Sequence, residues 1–112
     1  MNEKIVIMEY SNGQLFALFK DKTRRSISRG ELWLIKLAQQ HRKNSKIEYV
    51  ELTELEVTIR LGFIRRFMES NTFEGSEGKT QLNYYVERMN FYHQYGIISD
   101  KEFEEFINKI EQ

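Results

Sequence analysis

Residues 4–20 read KIVIMEYSNGQLFALFK, and the fold class turns on them. Ile5 to Tyr10 and Leu15 to Phe19 are apolar runs of strand-forming character, interrupted by Asn12-Gly13. Asn-Gly between two such runs is the strongest short hairpin signal, because both residues tolerate the positive φ of a type I′ turn. The expectation is a β-hairpin with strands Lys4–Tyr10 and Gln14–Lys20. Downstream, the periodicity changes from sheet to helix.

Three Ser/Thr-x-x-Glu pairs precede apolar-periodic runs: Ser28/Glu31, Thr53/Glu56 and Ser99/Glu102. In a capping box the hydroxyl accepts from the N3 amide while the glutamate reaches back to the N-cap amide, so helices should start near 29, 54 and 100. The first, running to about Lys43, is expected to turn Leu34, Leu37, Ala38 and His41 inward, with Trp33 and Ile35 flanking. Ile47 to Leu52 alternates like a short strand, a candidate third beside the hairpin. The second helix, Glu54 to Ser70, stacks Val57, Leu61, Ile64 and Met68. Leu55, Val57, Ile59 and Leu61 also alternate as a strand would, but the capping box and the 57/61/64/68 spacing favour helix. Asn71 to Thr80, with two glycines and no periodicity, reads as a loop.

Gln81 to Gly96 reads as a helix with two apolar faces. At about 100° per residue, Leu82, Tyr85, Val86, Met89 and Tyr92 form one stripe, and Tyr84, Phe91 and Tyr95 form another around Arg88. Gly96 stops this helix as a C′ residue. Asp100 to Gln112 closes the chain with Phe103, Phe106, Ile107 and Ile110 on one side. The fold class is therefore α+β: an N-terminal β-hairpin, a candidate third strand and four helices, the last two an antiparallel hairpin over 81–112. At 112 residues this is one domain by length, with a mixed part (1–52) and a helical part (53–112).

Val86, Met89 and Tyr92, then Gly96-Ile97-Ile98-Ser99, then Glu102-Phe103 and Ile110, resemble the SHOCT family, a short C-terminal helical hairpin. The resemblance covers about the last thirty residues, and Ile107 stands where the family's usual basic residue would fall. SHOCT segments accompany many different domains and are associated with assembly or binding, so the resemblance implies an interaction role and no chemistry.

Composition excludes more than it identifies. Cysteine is absent, so there is no disulfide framework and no thiolate chemistry. No apolar run approaches the roughly 18 residues of a membrane span, and Met1 to Tyr10 shows no secretory pattern. A cytoplasmic protein without a membrane partner is expected. Proline is also absent, while Lys, Asn, Ile and Glu are plentiful, usage typical of low-GC bacteria and their phages.

The net charge of zero hides an asymmetry. Residues 1–50 hold ten Lys/Arg against five Asp/Glu (+5), and residues 51–112 hold seven against twelve (−5). The densest basic stretch, Lys20 to Lys46, is either an electrostatic footprint or a surface neutralised by folding.

Catalytic motifs are missing. Gly78-Lys79-Thr80 ends like a P-loop, but Phe73 stands where the first glycine is required. For His41 and His93 to form a dyad or metal pair they would have to converge with a carboxylate or nucleophile that no motif supplies. No catalytic, metal or cofactor residue is assigned. Binding remains. A small regulatory or adaptor protein would meet another protein, or a second copy of itself, through Tyr84, Arg88, Phe91 and Tyr95. The Tyr84 and Tyr95 hydroxyls are expected to reach water or a polar partner. The alternative is a nucleic-acid binder of helix-turn-helix type over Thr53 to Met68, turning at Leu61-Gly62. It would use Arg24, Arg25, Arg29, Arg42, Lys43, Arg65 and Arg66.

Overall fold

The computed structural model describes residues 3–41, 47–70 and 75–111. The chain is α+β, with elements β1 (Glu3–Glu9), β2 (Leu15–Leu18), β3 (Arg24–Ile27), α1 (Arg29–His41), β4 (Ile47–Thr53), α2 (Glu54–Ser70), α3 (Gly75–Gln94) and α4 (Asp100–Glu111). Contacts group them into two units, Met1–Val57 and Thr58–Gln112.

In the first unit the strands form one sheet in the order β3-β2-β1-β4. β1 pairs antiparallel with β2 and parallel with β4, Ile7 facing Ala17 on one side and Glu51 on the other. A central strand buried on both faces reads as a continuous apolar run. Val6, Ile7 and Met8 are accordingly all buried.

The hairpin forms, with a different turn. Gly13 N–H donates to the Tyr10 carbonyl and Tyr10 N–H to the Gln14 carbonyl, each at 2.9 Å. Gly13 has φ 86°, whereas Asn12 stays at negative φ. This is a three-residue loop, a type I turn followed by a left-handed residue in a bulge, in place of the two-residue I′ turn. Asn12 contributes through its side chain instead, its Oδ1 accepting from Gln14 N–H at 3.0 Å.

Nine residues on, the chain repeats the device. Lys22 donates to Phe19 and Phe19 to Thr23 along the backbone. Asp21 Oδ1 accepts from Thr23 N–H, and Lys22 takes the left-handed position at φ 70°. The second turn delivers β3, a strand the sequence pattern does not announce because Arg24, Arg25 and Ser26 are all exposed. Charged residues on an edge strand protect it from pairing with other chains.

All three helix starts fall where the capping boxes place them. Ser28 Oγ accepts from Glu31 N–H at 3.1 Å, and Ser28 N–H donates to Glu31 Oε1 at 3.4 Å. Thr53 Oγ1 and Ser99 Oγ accept from Glu56 and Glu102 N–H, each at 3.1 Å.

The phase of α1 differs from expectation. Leu32 and Ile35 pack on the cluster of Ile7, Leu15, Ala17 and Ile27, while Trp33 and Leu34 are 61% and 58% exposed. Two apolar stripes were available on this helix, and its entry from Ile27 through the Ser28 cap selects the one carrying Leu32.

α2 begins directly after β4, where Glu54 Oε2 accepts from Ser11 N–H in the first turn at 3.1 Å. It continues unbroken into the second unit through Gly62. The helix-turn-helix expectation is thereby overturned: no turn interrupts Leu61-Gly62, since one glycine costs a helix only about 1 kcal/mol.

The second unit holds the body of α2 with α3 and α4. Ile64 and Met68 of α2, Tyr85, Met89 and Tyr92 of α3, and Phe106 of α4 are buried. Phe67 meets Tyr85 edge-on at 5.1 Å between centroids.

α3 starts six residues before the expected Gln81. Its first turns take in Gly78-Lys79-Thr80, and Thr80 Oγ1 donates to the Ser76 carbonyl at 2.8 Å. The rest of the expected loop, residues 71–74, lies outside the described residues, as do Arg42 and Lys43.

The α3–α4 turn is a Schellman motif. Ile97 N–H donates to the Tyr92 carbonyl at 2.8 Å and Gly96 N–H to His93 at 3.1 Å, with Gly96 at φ 71°. Only the absence of a Cβ makes that conformation inexpensive. Among the described residues no helix is long and apolar enough to cross a membrane.

Candidate functional site

The stripe Tyr84–Arg88–Phe91–Tyr95 lies along one side of α3, and the structure divides it. Tyr84 is 37% exposed and Tyr95 only 1%, with Arg88 and Phe91 half-buried between them. Tyr95 is therefore core and not the exposed contact that the interface reading expected. Tyr95 is the last residue before the Schellman turn, and Ile98 beyond that turn is buried too. Covering so large a ring removes apolar area that a small core needs. Desolvation pushes the Tyr95 phenol above its ordinary pKa, and its ring lies 5.1 Å from that of Phe91.

At the other end of the stripe, two guanidiniums lie over the Tyr84 ring. Arg88, one helical turn on, donates to the Tyr84 hydroxyl at 3.3 Å and sits 5.6 Å from the ring centroid. Arg60 of α2 lies 5.5 Å from the same centroid. Cations over a ring face are attracted by its quadrupole, and an Arg hydrogen bond favours the phenolate. The Tyr84 phenol is consequently lowered, first by the Arg88 hydrogen bond and then by the charges of Arg88 and Arg60, with burial acting in the opposite direction. Arg88 also lies 6.0 Å from the Phe91 centroid.

Arg60 was no candidate from sequence, and neither were its neighbours. Ile59 and Phe63, one turn apart on α2, are 50% and 51% exposed. The missed signal lay in the alternation of Leu55, Val57, Ile59 and Leu61. On a confirmed helix, that alternation means apolar residues on two sides. Val57 faces inward and is buried, whereas Leu55, Ile59 and Phe63 face out.

Three cations of the basic segment form ion pairs in place. Arg25 meets Glu31 at 3.3 Å, Arg29 meets Glu9 at 3.1 Å and Lys36 meets Glu51 at 3.0 Å. The Glu51 hydrogen bond raises the Lys36 pKa. Arg24 donates to the Tyr10 hydroxyl at 3.3 Å and lies over Phe16. Arg65 and Arg66 are exposed on α2. Arg65 lines a groove of about 200 Å³ over Ile64, Met68, Met89 and Phe106, whose rim also carries Glu69, Glu102, Glu105 and Lys109. With three carboxylates against two cations, that rim does not draw in a polyanion.

His93 is occupied in the helical hairpin. Its Nε2 lies 2.7 Å from Asp100 Oδ1, and its ring stacks on Phe103 at 4.3 Å with 6° between planes.

The fold and this surface define a four-stranded α+β chain carrying an arginine-flanked aromatic patch on its helical unit. Compared with protein-family models, curated proteins and solved structures, the chain matches none.

Proposed function

We propose that the protein is a small non-enzymatic regulatory or adaptor protein that acts by binding another protein through the α2–α3 surface of its helical unit. The observation that carries this reading is the exposure of Ile59 and Phe63 on α2 and of Tyr84 on α3, with two arginines over the tyrosine ring. Large apolar side chains grouped on a surface mark partner sites, and aromatic residues with Arg are enriched in interface cores.

The α3–α4 hairpin serves this role as a scaffold, with its Schellman turn at Gly96 and its capped start at Ser99. The SHOCT-like pattern Gly96-Ile97-Ile98-Ser99 belongs to the same proposal, as a hairpin used in assembly. Cytoplasmic residence in a low-GC bacterium or its phage completes the reading.

The test is capture from such a host with the wild-type protein and with Phe63→Ser/Tyr84→Ser, followed by mass spectrometry. A partner held by the wild type and lost by the folded double variant supports the proposal. Identical captures by both forms refute it.

A further inference from the structure

We infer that the α2–α3 surface recognises an acidic amphipathic peptide segment, its apolar side chains on Ile59, Phe63 and Tyr84 and its carboxylates on Arg60 and Arg88. This rests on the proposed protein-binding role and adds the chemistry of the partner. Arg60 and Arg88 both lie within 5.6 Å of the Tyr84 centroid, so their guanidinium carbons are no farther apart than twice that distance. Neither forms an ion pair with a carboxylate among the described residues, in contrast to Arg25, Arg29 and Lys36.

The acids that adjoin them do not neutralise them. Glu56, one turn before Arg60, lies in the first turn of α2, where a carboxylate favours the helix dipole. Glu87, beside Arg88 in sequence, is exposed and makes no ion pair with it among the described residues. Arg66, one turn after Phe63 on α2, is a further cation and is exposed, whereas Arg60 and Arg88 are half-buried.

Charge complementarity therefore selects an anionic occupant, and the apolar content selects a peptide over a bare polyanion. A guanidinium presents a planar fork of donors that matches a carboxylate, and the hydrogen bond from Arg88 to the Tyr84 hydroxyl holds that side chain beside the ring. A duplex nucleic acid would find the cations but, with its bases already stacked on one another, would leave Ile59 and Phe63 uncovered.

The experiment is selection of a random displayed dodecapeptide library on the full-length protein, with counter-selection on Phe63→Ser/Tyr84→Ser. Both forms are first checked for an unchanged circular dichroism spectrum. The expected binders combine Asp or Glu with Leu, Ile or Phe. Their synthetic forms should lose about tenfold or more in affinity on Arg60→Gln/Arg88→Gln and weaken as salt is raised.

Binders that need Phe63 and Tyr84 but are basic or neutral overturn the charge assignment and leave the protein-binding role standing. Failure to select any binder that distinguishes wild type from the double variant overturns both. A random single-stranded DNA or RNA pool retained through Arg60 and Arg88 more tightly than the peptides also overturns the inference, in favour of nucleic acid.

Discussion

Arg88 donates a hydrogen bond to the hydroxyl of Tyr84 while its guanidinium lies over the same ring, at 3.3 Å and 5.6 Å respectively. The i, i+4 spacing on α3 brings the two together, and Arg60 of α2 lies 5.5 Å from the same centroid. The consequence is a ring fixed in orientation at the surface, with its hydroxyl tuned by positive charge. Tyr95, three turns along the same stripe, has the opposite environment.

These two phenols should titrate at opposite ends of the tyrosine range. Tyr84, with its folded pKa depressed, gains its stabilising contribution as pH rises toward and above the ordinary value of about 10, and loses it as pH falls. Tyr95, with its folded pKa raised, contributes stability that is complete below about 10 and disappears as pH climbs through the raised value. Near-ultraviolet absorbance should lose phenolate formed below the ordinary tyrosine value in Tyr84→Phe and phenolate formed above it in Tyr95→Phe. Equal titration of both residues would contradict the placement.

The two hairpin turns make a paired prediction. Lys22 occupies the left-handed position that Gly13 occupies in the first turn. Lys22→Gly should stabilise the protein by about 0.5–1 kcal/mol and Gly13→Ala should destabilise it by about 1 kcal/mol, read from urea midpoints.

α1 supplies a test of helix phase. Leu34→Ala should change stability by no more than about 0.5 kcal/mol, whereas Ile35→Ala should cost on the order of 1–2 kcal/mol. Trp33 is the chain's one tryptophan. Its fluorescence should be that of a water-exposed indole, fully open to a soluble quencher in the folded protein.

Ser28→Ala and Ser99→Ala should each lower stability by about 1 kcal/mol, because each hydroxyl satisfies an N3 amide at 3.1 Å that would otherwise lack a partner. Replacement by Gly should cost only a few tenths.

The elements legible in the sequence were those with local signals. Capping boxes gave three helix starts, Asn12-Gly13 gave the first hairpin and Gly96 gave the helix stop. Elements defined by long-range pairing were less visible. β3 carries one apolar residue and exists because β2 offers it an edge, and the parallel pairing of β4 with β1 leaves no local trace. The site was half visible: Tyr84 and Arg88 show their spacing along one helix, but Arg60, Ile59 and Phe63 belong to another. The burial of Tyr95 depends on tertiary packing, which helical spacing alone does not encode.

The central claim is that Phe63 and Tyr84 are surface residues kept for a partner. Comparing the urea stability of Phe63→Ser/Tyr84→Ser with its capture of host proteins tests it most directly. The account predicts a loss of no more than about 1 kcal/mol together with loss of a partner that the wild type retains. A loss of several kcal/mol, or an unchanged set of captured proteins, would contradict it.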